Sequence, residues 1–200
     1  MDQLEVWKGE FGQAYTDRNA IDWHVRVPAF QEMLRGLSLE RALEVGCNRG
    51  HNLLAVSHVT GPDTEVIGIE PNPYALKIAR SSDPAITAIR GSVYDLPFKD
   101  GYFDLAFTAG VLIHIPLANL PAAMKEIGRV TRKYILCIEY FAEEETEIRY
   151  REQANLLWKR DFLKHYTDSI PGLKKLRSGF WDAKDGFDRA NWWLLERERV

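Results

Sequence analysis

Cysteine is scarce in this chain: two among 200 residues, Cys47 and Cys137, 90 positions apart. That separation makes neither a disulfide framework nor a metal-ligand pattern, and both read as free thiols in a reducing compartment. The five histidines, at 24, 51, 58, 114 and 165, share no ligand spacing, so no metal is expected. Basic surplus is missing too: 26 Lys and Arg stand against 29 Asp and Glu, a net charge of −3. A general nucleic-acid binder carries an excess of positive charge, so nucleic acid is not an expected partner. No stretch approaches the roughly 18 consecutive apolar residues of a membrane span. The opening MDQLEVWKGE has no apolar run before a small-residue cleavage site, so no signal peptide and a cytoplasmic location are expected. What is present is a 46% hydrophobic composition, which excludes a mainly disordered chain. A length of 200 residues fits one domain on a scale of about 150 residues each.

Short apolar runs alternate with helical periods along most of the chain. Strands are expected at 42–45, 65–69, 86–89, 103–108 and 134–139, and two more near 173–180 and 191–198. Helices are expected at 27–37, 52–59, 73–80 and 117–130, with a long helical segment at 146–166. Strand–helix alternation implies an α/β fold with a mostly parallel sheet covered on both faces. Ligands in such sheets bind beyond the carboxyl ends of the strands, where strand order reverses. The residues just after each early strand therefore carry the functional information.

The first such loop reads Glu44-Val45-Gly46-Cys47-Asn48-Arg49-Gly50. Its glycines are spaced G-x-x-x-G, so the dinucleotide fingerprint G-x-G-x-x-G is missing and a nicotinamide enzyme is disfavoured. Asn48 tolerates left-handed backbone and preserves a sharp turn. Glycines let a ligand approach the backbone, and the following helix offers free N–H groups. Glu70 closes the second strand 24 positions after Gly46, where an acid can accept from two ribose hydroxyls. A third stretch, Gly91–Phe98, can wrap a planar base, and Asp100-Gly101 is a turn before the strand at Phe103.

Together these elements resemble the class I S-adenosylmethionine-dependent methyltransferases over about residues 40–140. The resemblance implies a Rossmann-like class I methyltransferase fold with a central, mostly parallel seven-stranded sheet, and S-adenosylmethionine as cofactor. It places the methionine part of that cofactor on the glycine loop with Glu44, Gly46, Cys47, Asn48 and Gly50, and the ribose on Glu70, with Pro71 a further cofactor contact. The adenine falls to Ser92, Val93 and Tyr94, with Gly110 beyond the fourth strand completing the set. Two positions depart from the family pattern: Asn48 replaces a glycine, and Ser92 replaces an aspartate that contacts the adenine amine. A narrower resemblance, carried by Trp7–Gly12, Tyr15–Asn19 and Trp158–Phe162, is to methylases found beside pseudaminic acid biosynthesis genes. The expected organisation is one methyltransferase domain, with an N-terminal helical lid at 1–30, a cofactor-binding core at 40–140 and a substrate-side segment at 141–200.

Methyl transfer needs an aligned acceptor more than a catalytic triad, and a base only if the acceptor must lose a proton. His114 follows the fourth strand and is a candidate base or substrate contact, with an inert packed histidine as the alternative. Glu139 ends the fifth strand, and Glu143, Glu144, Glu145 and Glu147 follow. They read either as an acidic pocket for a cationic amine or guanidine, or as a solvated helix start. Tyr15 and Arg18 are candidates for a lid over the cofactor. Arg18 and Arg49 compete for the methionine carboxylate, with surface arginine as the bland alternative. Pro71-Asn72-Pro73-Tyr74 follows the second strand, so it reads as a helix start. The expected partner is a small-molecule acceptor, an amino sugar or an amino-acid-like amine. RNA or protein methylation and a non-enzymatic binding protein are the rivals.

Overall fold

The structure, a computed structural model, describes residues 3–151 and 154–198. Seven strands form one sheet in the order β3-β2-β1-β4-β5-β9-β8. β1 (Arg41–Val45), β2 (Glu65–Glu70), β3 (Thr87–Arg90), β4 (Phe103–Ala109) and β5 (Thr131–Glu139) run parallel. β9 (Ala190–Arg197) pairs antiparallel with β5, and β8 (Leu173–Trp181) antiparallel with β9. Strand order reverses between β1 and β4, which is where the topology opens a crevice. The alternating pattern implied a mostly parallel sheet, and the resemblance implied the seven-stranded Rossmann-like class I methyltransferase architecture; the structure has both.

Successive side chains on a strand point to opposite faces, and both faces here are apolar. On β5, Ile135 and Cys137 join one core while Leu136 and Ile138 join the other. The first core is completed by Met124 and Ile127 of α6 (Leu120–Val130) and by Phe162 and Tyr166 of α7 (Phe162–Ser169). The second is completed by α3 (Val27–Leu34), α4 (His51–Thr60) and α5 (Pro73–Ser82), through Phe30, Leu53 and Leu76. Pro73 opens α5, and the Asn72 side chain caps it by accepting from the N–H groups of Tyr74 and Ala75. Two N-terminal helices, α1 (Gln3–Lys8) and α2 (Glu10–Arg18), lie outside the sheet on the carboxyl-end side.

The expected helix at 146–166 does not form. β6 (Thr146–Glu147) and β7 (Trp158–Lys159) pair antiparallel instead, and α7 starts only at Phe162. Arg151 and Asn155 have φ of 50° and 60°, which a right-handed helix cannot contain. Long-range contacts override the local periodicity: Leu156 offers its carbonyl to His114, and buried Arg160 donates to the Ile115 carbonyl at 2.8 Å. Residues 152 and 153 of that expected helix lie outside the described residues.

At the far end of the sheet, Asp104 is fully buried and binds Arg132, Lys133 and the backbone N–H groups of Glu40 and Arg41. Burial opposes its charge, yet these partners hold its carboxyl well below the usual carboxylate range. It fastens the entry of β1 to β4. Asp104→Asn keeps the shape and removes the charge, so the urea midpoint should fall by the equivalent of about 2 kcal/mol. An unchanged midpoint would show that the partners serve only the surface.

Candidate active site

A cavity of about 300 Å3 sits over the carboxyl ends of β1, β2 and β4, roofed by α1 and α2. Its floor is the turn after β1. Gly46 has φ 82°, and a Cβ there would meet Val111 at 2.6 Å. Asn48 takes φ 46°, the left-handed geometry its side chain tolerates. The N–H groups of Gly46 and Cys47 both donate to the Ile69 carbonyl, so the turn is bound to the end of β2.

Glu70 is 7% exposed, and its two oxygens are shared between loops. One accepts from the Asn48 N–H and the other from the Asn72 N–H, each at 2.8 Å. Burial pushes its carboxyl up to about 7 against those two hydrogen bonds. Glu44 accepts from Asn52 Nδ2 at 2.7 Å, and Arg26 Nη1 donates to Asn52 Oδ1 at 2.6 Å. Desolvation raises Glu44 to about 8. Glu44 Oε2, Asn48 Oδ1 and Arg49 Nε are buried without partners, and all three residues line the cavity. A zwitterionic amino-acid group with a ribose supplies what these orphaned atoms lack, so the residues fit the expected cofactor.

His114 ends a single 3-10 turn, Leu112–His114, and its ring lies in the cavity wall. Nδ1 is 2.6 Å from the Leu156 carbonyl, which can only accept, so Nδ1 carries the proton. Desolvation lowers the ring to about 4, leaving it neutral with a bare Nε2.

Of the expected site residues, Glu44, Gly46, Cys47, Asn48, Arg49, Glu70, Pro71, Ser92, Val93, Tyr94, Gly110, Tyr15 and His114 all line the cavity. Three do not. Gly50 has φ 83°, starts α4 and faces Ile86 and Ala79. Arg18 is exposed at the end of α2, so the arginines in the wall are Arg26 and Arg49. Glu139 requires the larger correction. It is fully buried beneath the cavity, and its oxygens accept from the N–H groups of Val111, Leu112 and Ile113 at 3.1, 3.0 and 3.3 Å. No lone oxygen remains for a substrate, and it acts as a brace for the turn that presents His114. Glu143, Glu144 and Glu145 are solvent-facing or bonded elsewhere, outside the wall.

The sequence reading missed Arg26, Asn52, Asn72, Tyr140 and Tyr150, all in the wall. Arg26 alone left a local signal: it is the N-cap of α3, where the helix dipole disfavours a cation, so its partner had to lie elsewhere. The roof is fastened by the same loops. Asn72 Nδ2 donates to the Trp7 carbonyl at 2.8 Å, Arg49 Nη1 to the Thr16 carbonyl at 3.3 Å, and Tyr74 Oη to Asp17 at 2.7 Å. Among the described residues, no group of His, Cys, Asp and Glu is placed to hold a metal, and no helix is long and apolar enough to cross a membrane.

The family description "Methyltransferase domain" matches residues 42–134. A demethylmenaquinone methyltransferase of Staphylococcus aureus is 30% identical over 185 residues, covering 80% of this chain and 73% of that protein. The chain belongs to the class I S-adenosylmethionine-dependent methyltransferases. An uncharacterised methyltransferase of Schizosaccharomyces pombe is 31% identical over 166 residues, covering 72% of this chain and 56% of that one. This methyltransferase chain spans about half the length of several curated relatives it matches. In fold it is similar to a Burkholderia thailandensis 1,6-didemethyltoxoflavin-N1-methyltransferase, with TM-score 0.74 and 14% identity over 98% of this chain and 88% of that one.

Three buried carboxyls held above their ordinary values make stability depend on pH. Between about pH 8 and 4.5 the folded protein binds protons at Glu44, Glu70 and Glu139 that the unfolded chain releases. Stability therefore rises as pH falls from 8.5 towards 6.5. Below that, His51 and His114, both lowered to about 4, oppose the gain, because the unfolded chain takes up two protons there against the three that the folded carboxyls hold. Thermal unfolding of the ligand-free protein should show stability rising from pH 8.5, more gently below pH 6.5, and levelling off by about pH 5, with a shallower alkaline limb in Glu139→Gln. A melting temperature flat from pH 8.5 to 6.5 would contradict the raised carboxyls.

Proposed function

We propose that the chain moves a methyl group from S-adenosylmethionine to an oxygen or nitrogen of a small metabolite. The observation that carries this is Glu70. It is a buried carboxylate bound by one backbone N–H from each of two loops, at the edge of a cavity whose wall holds orphaned polar atoms.

When bound, S-adenosylmethionine supplies a methyl carbon already activated on a sulfonium. The protein's share is placement and the fate of a proton. Glu70 takes the ribose hydroxyls, and Glu44, Asn48 and Arg49 take the amino-acid end, with Pro71, Ser92, Val93 and Tyr94 around the base. Gly46, Cys47 and Gly110 supply close backbone. Tyr15 reaches in from the roof beside His114, its ring centroid 6.5 Å away. His114 Nε2 accepts the proton that the acceptor sheds, with Glu139 and the Leu156 carbonyl fixing the imidazole. The narrower reading of an amino-sugar, amine or guanidine acceptor rests on the narrower resemblance and on an acidic pocket of Glu139 with the run at 143–147, and Glu139 is committed to three backbone N–H groups. That run stands outside the wall, so the uncommitted acceptor class, a small metabolite, is what this reading keeps.

Calorimetric titration with S-adenosylhomocysteine tests the first half. Glu70→Gln should weaken binding by about 10- to 100-fold, with NAD unbound by either protein. Equal affinity in the variant would move the ribose site elsewhere. Once an acceptor is in hand, His114→Gln should lower kcat by about 100-fold or more with KM little changed. A pure KM effect would make His114 a binding group only.

A further inference from the structure

The outer wall of the cavity is built of rings. Trp7 of α1 lies 5.3 Å from Tyr15 of α2 and 4.3 Å from His114, and Tyr150 lies 5.9 Å from His114, centroid to centroid. All four line the cavity, although they come from three stretches of chain far apart in sequence. His114 Nδ1 is spent on Leu156. Nε2 of His114 and the hydroxyls of Tyr15 and Tyr150 have no hydrogen-bond partner among the described residues.

Among the described residues, the carboxylates of this region each have a partner already. Glu139 serves three backbone N–H groups, Glu70 two, and Asp188 accepts from the Tyr140 hydroxyl, while Glu44 serves Asn52 through Oε1 and its partnerless Oε2 is assigned, in the methyl-transfer reading, to the amino-acid end of the cofactor. An ammonium or guanidinium entering here gives up its hydration for ring faces alone. A flat neutral ring meets matching faces and edges, and three polar atoms at its rim.

We propose, resting on the methyl-transfer reading, that the acceptor is an uncharged flat aromatic or heteroaromatic metabolite with a ring hydroxyl. It binds against Trp7, Tyr15 and Tyr150 with that hydroxyl on Nε2 of His114. The acceptor oxygen forms the bond to the methyl carbon, the carbon–sulfur bond breaks with its electron pair on sulfur, and the hydroxyl proton passes to Nε2. A ring hydroxyl becomes strongly acidic as its oxygen gains a carbon, so a desolvated imidazole of low basicity suffices to take the proton. An ammonium holds its proton too tightly for such a base.

The test is calorimetry at neutral pH on the full chain saturated with S-adenosylhomocysteine. Three probes share one bicyclic frame: 2-naphthol, decahydro-2-naphthol, which is neutral but not flat, and 2-naphthylmethylammonium, which is flat but charged. Naphthol should bind about tenfold tighter than either of the others. Tyr150→Ala should cost naphthol about tenfold while S-adenosylhomocysteine affinity stays unchanged, which also shows that the variant is folded. Equal or tighter binding of the ammonium, or equal binding of the saturated alcohol, overturns the proposal. Failure of S-adenosylhomocysteine to bind removes the transferase reading instead, and the three probes on the protein alone still decide the ring site.

Discussion

The site depends on one buried carboxylate with two backbone partners. Glu70 stands at the end of β2, and its oxygens hold the Asn48 and Asn72 N–H groups. The first anchors the turn after β1, and the second sets the start of α5. A neutral side chain of the same length cannot accept at both ends, so the two loops would lose their shared reference point. From Asn72 the order passes on through its side chain to the Trp7 carbonyl, and from Trp7 by ring contact to His114. The floor and roof of the cavity are thus parts of one bonded chain. Gly12 belongs to it: a Cβ there would fall 1.9 Å from the Trp7 carbonyl oxygen and 2.5 Å from Asn72 Nδ2, so only glycine admits the contact.

A second carboxylate works the same way at a neighbouring strand end. Glu139 at the end of β5 gathers three N–H groups of the turn that ends in His114. Short turns leave donors unsatisfied, and a buried acceptor placed among them is a stiff restraint. The shared device explains why acids sit at the ends of otherwise apolar strands. They are carried into low dielectric at the expense of raised proton affinity, and return rigidity at the switch point.

Much of this was legible in the sequence, for a physical reason. Parallel strands buried on both faces write continuous apolar runs, and crossover helices write a different period, so the five parallel strands were visible within a few residues, as were the antiparallel β8 and β9 by their β-rich tail. The loop chemistry was legible because Gly46 and Asn48 carry the left-handed backbone themselves. Where the outcome depended on contacts between distant segments, the reading failed. The stretch 146–166 has helical spacing, yet its carbonyls and its buried Arg160 are committed to residues 114 and 115. Glu139 occupied the right strand end, but nothing local showed that three N–H groups would close over it. Tyr150 and Trp7 each reach His114 at the cavity only through the fold, so that cluster left no trace in spacing.

The division of labour along the chain has an evolutionary consequence. Residues that form the floor lie between Glu44 and Gly110, whereas the ring wall is drawn from the first fifteen residues, Tyr150 and the single ring of His114. The two sets touch through few bonds, chiefly Asn72 to Trp7 and Arg49 to Thr16. On the proposed reading, exchange or drift of the N-terminal segment therefore redraws one side of the acceptor chamber while the floor keeps its shape.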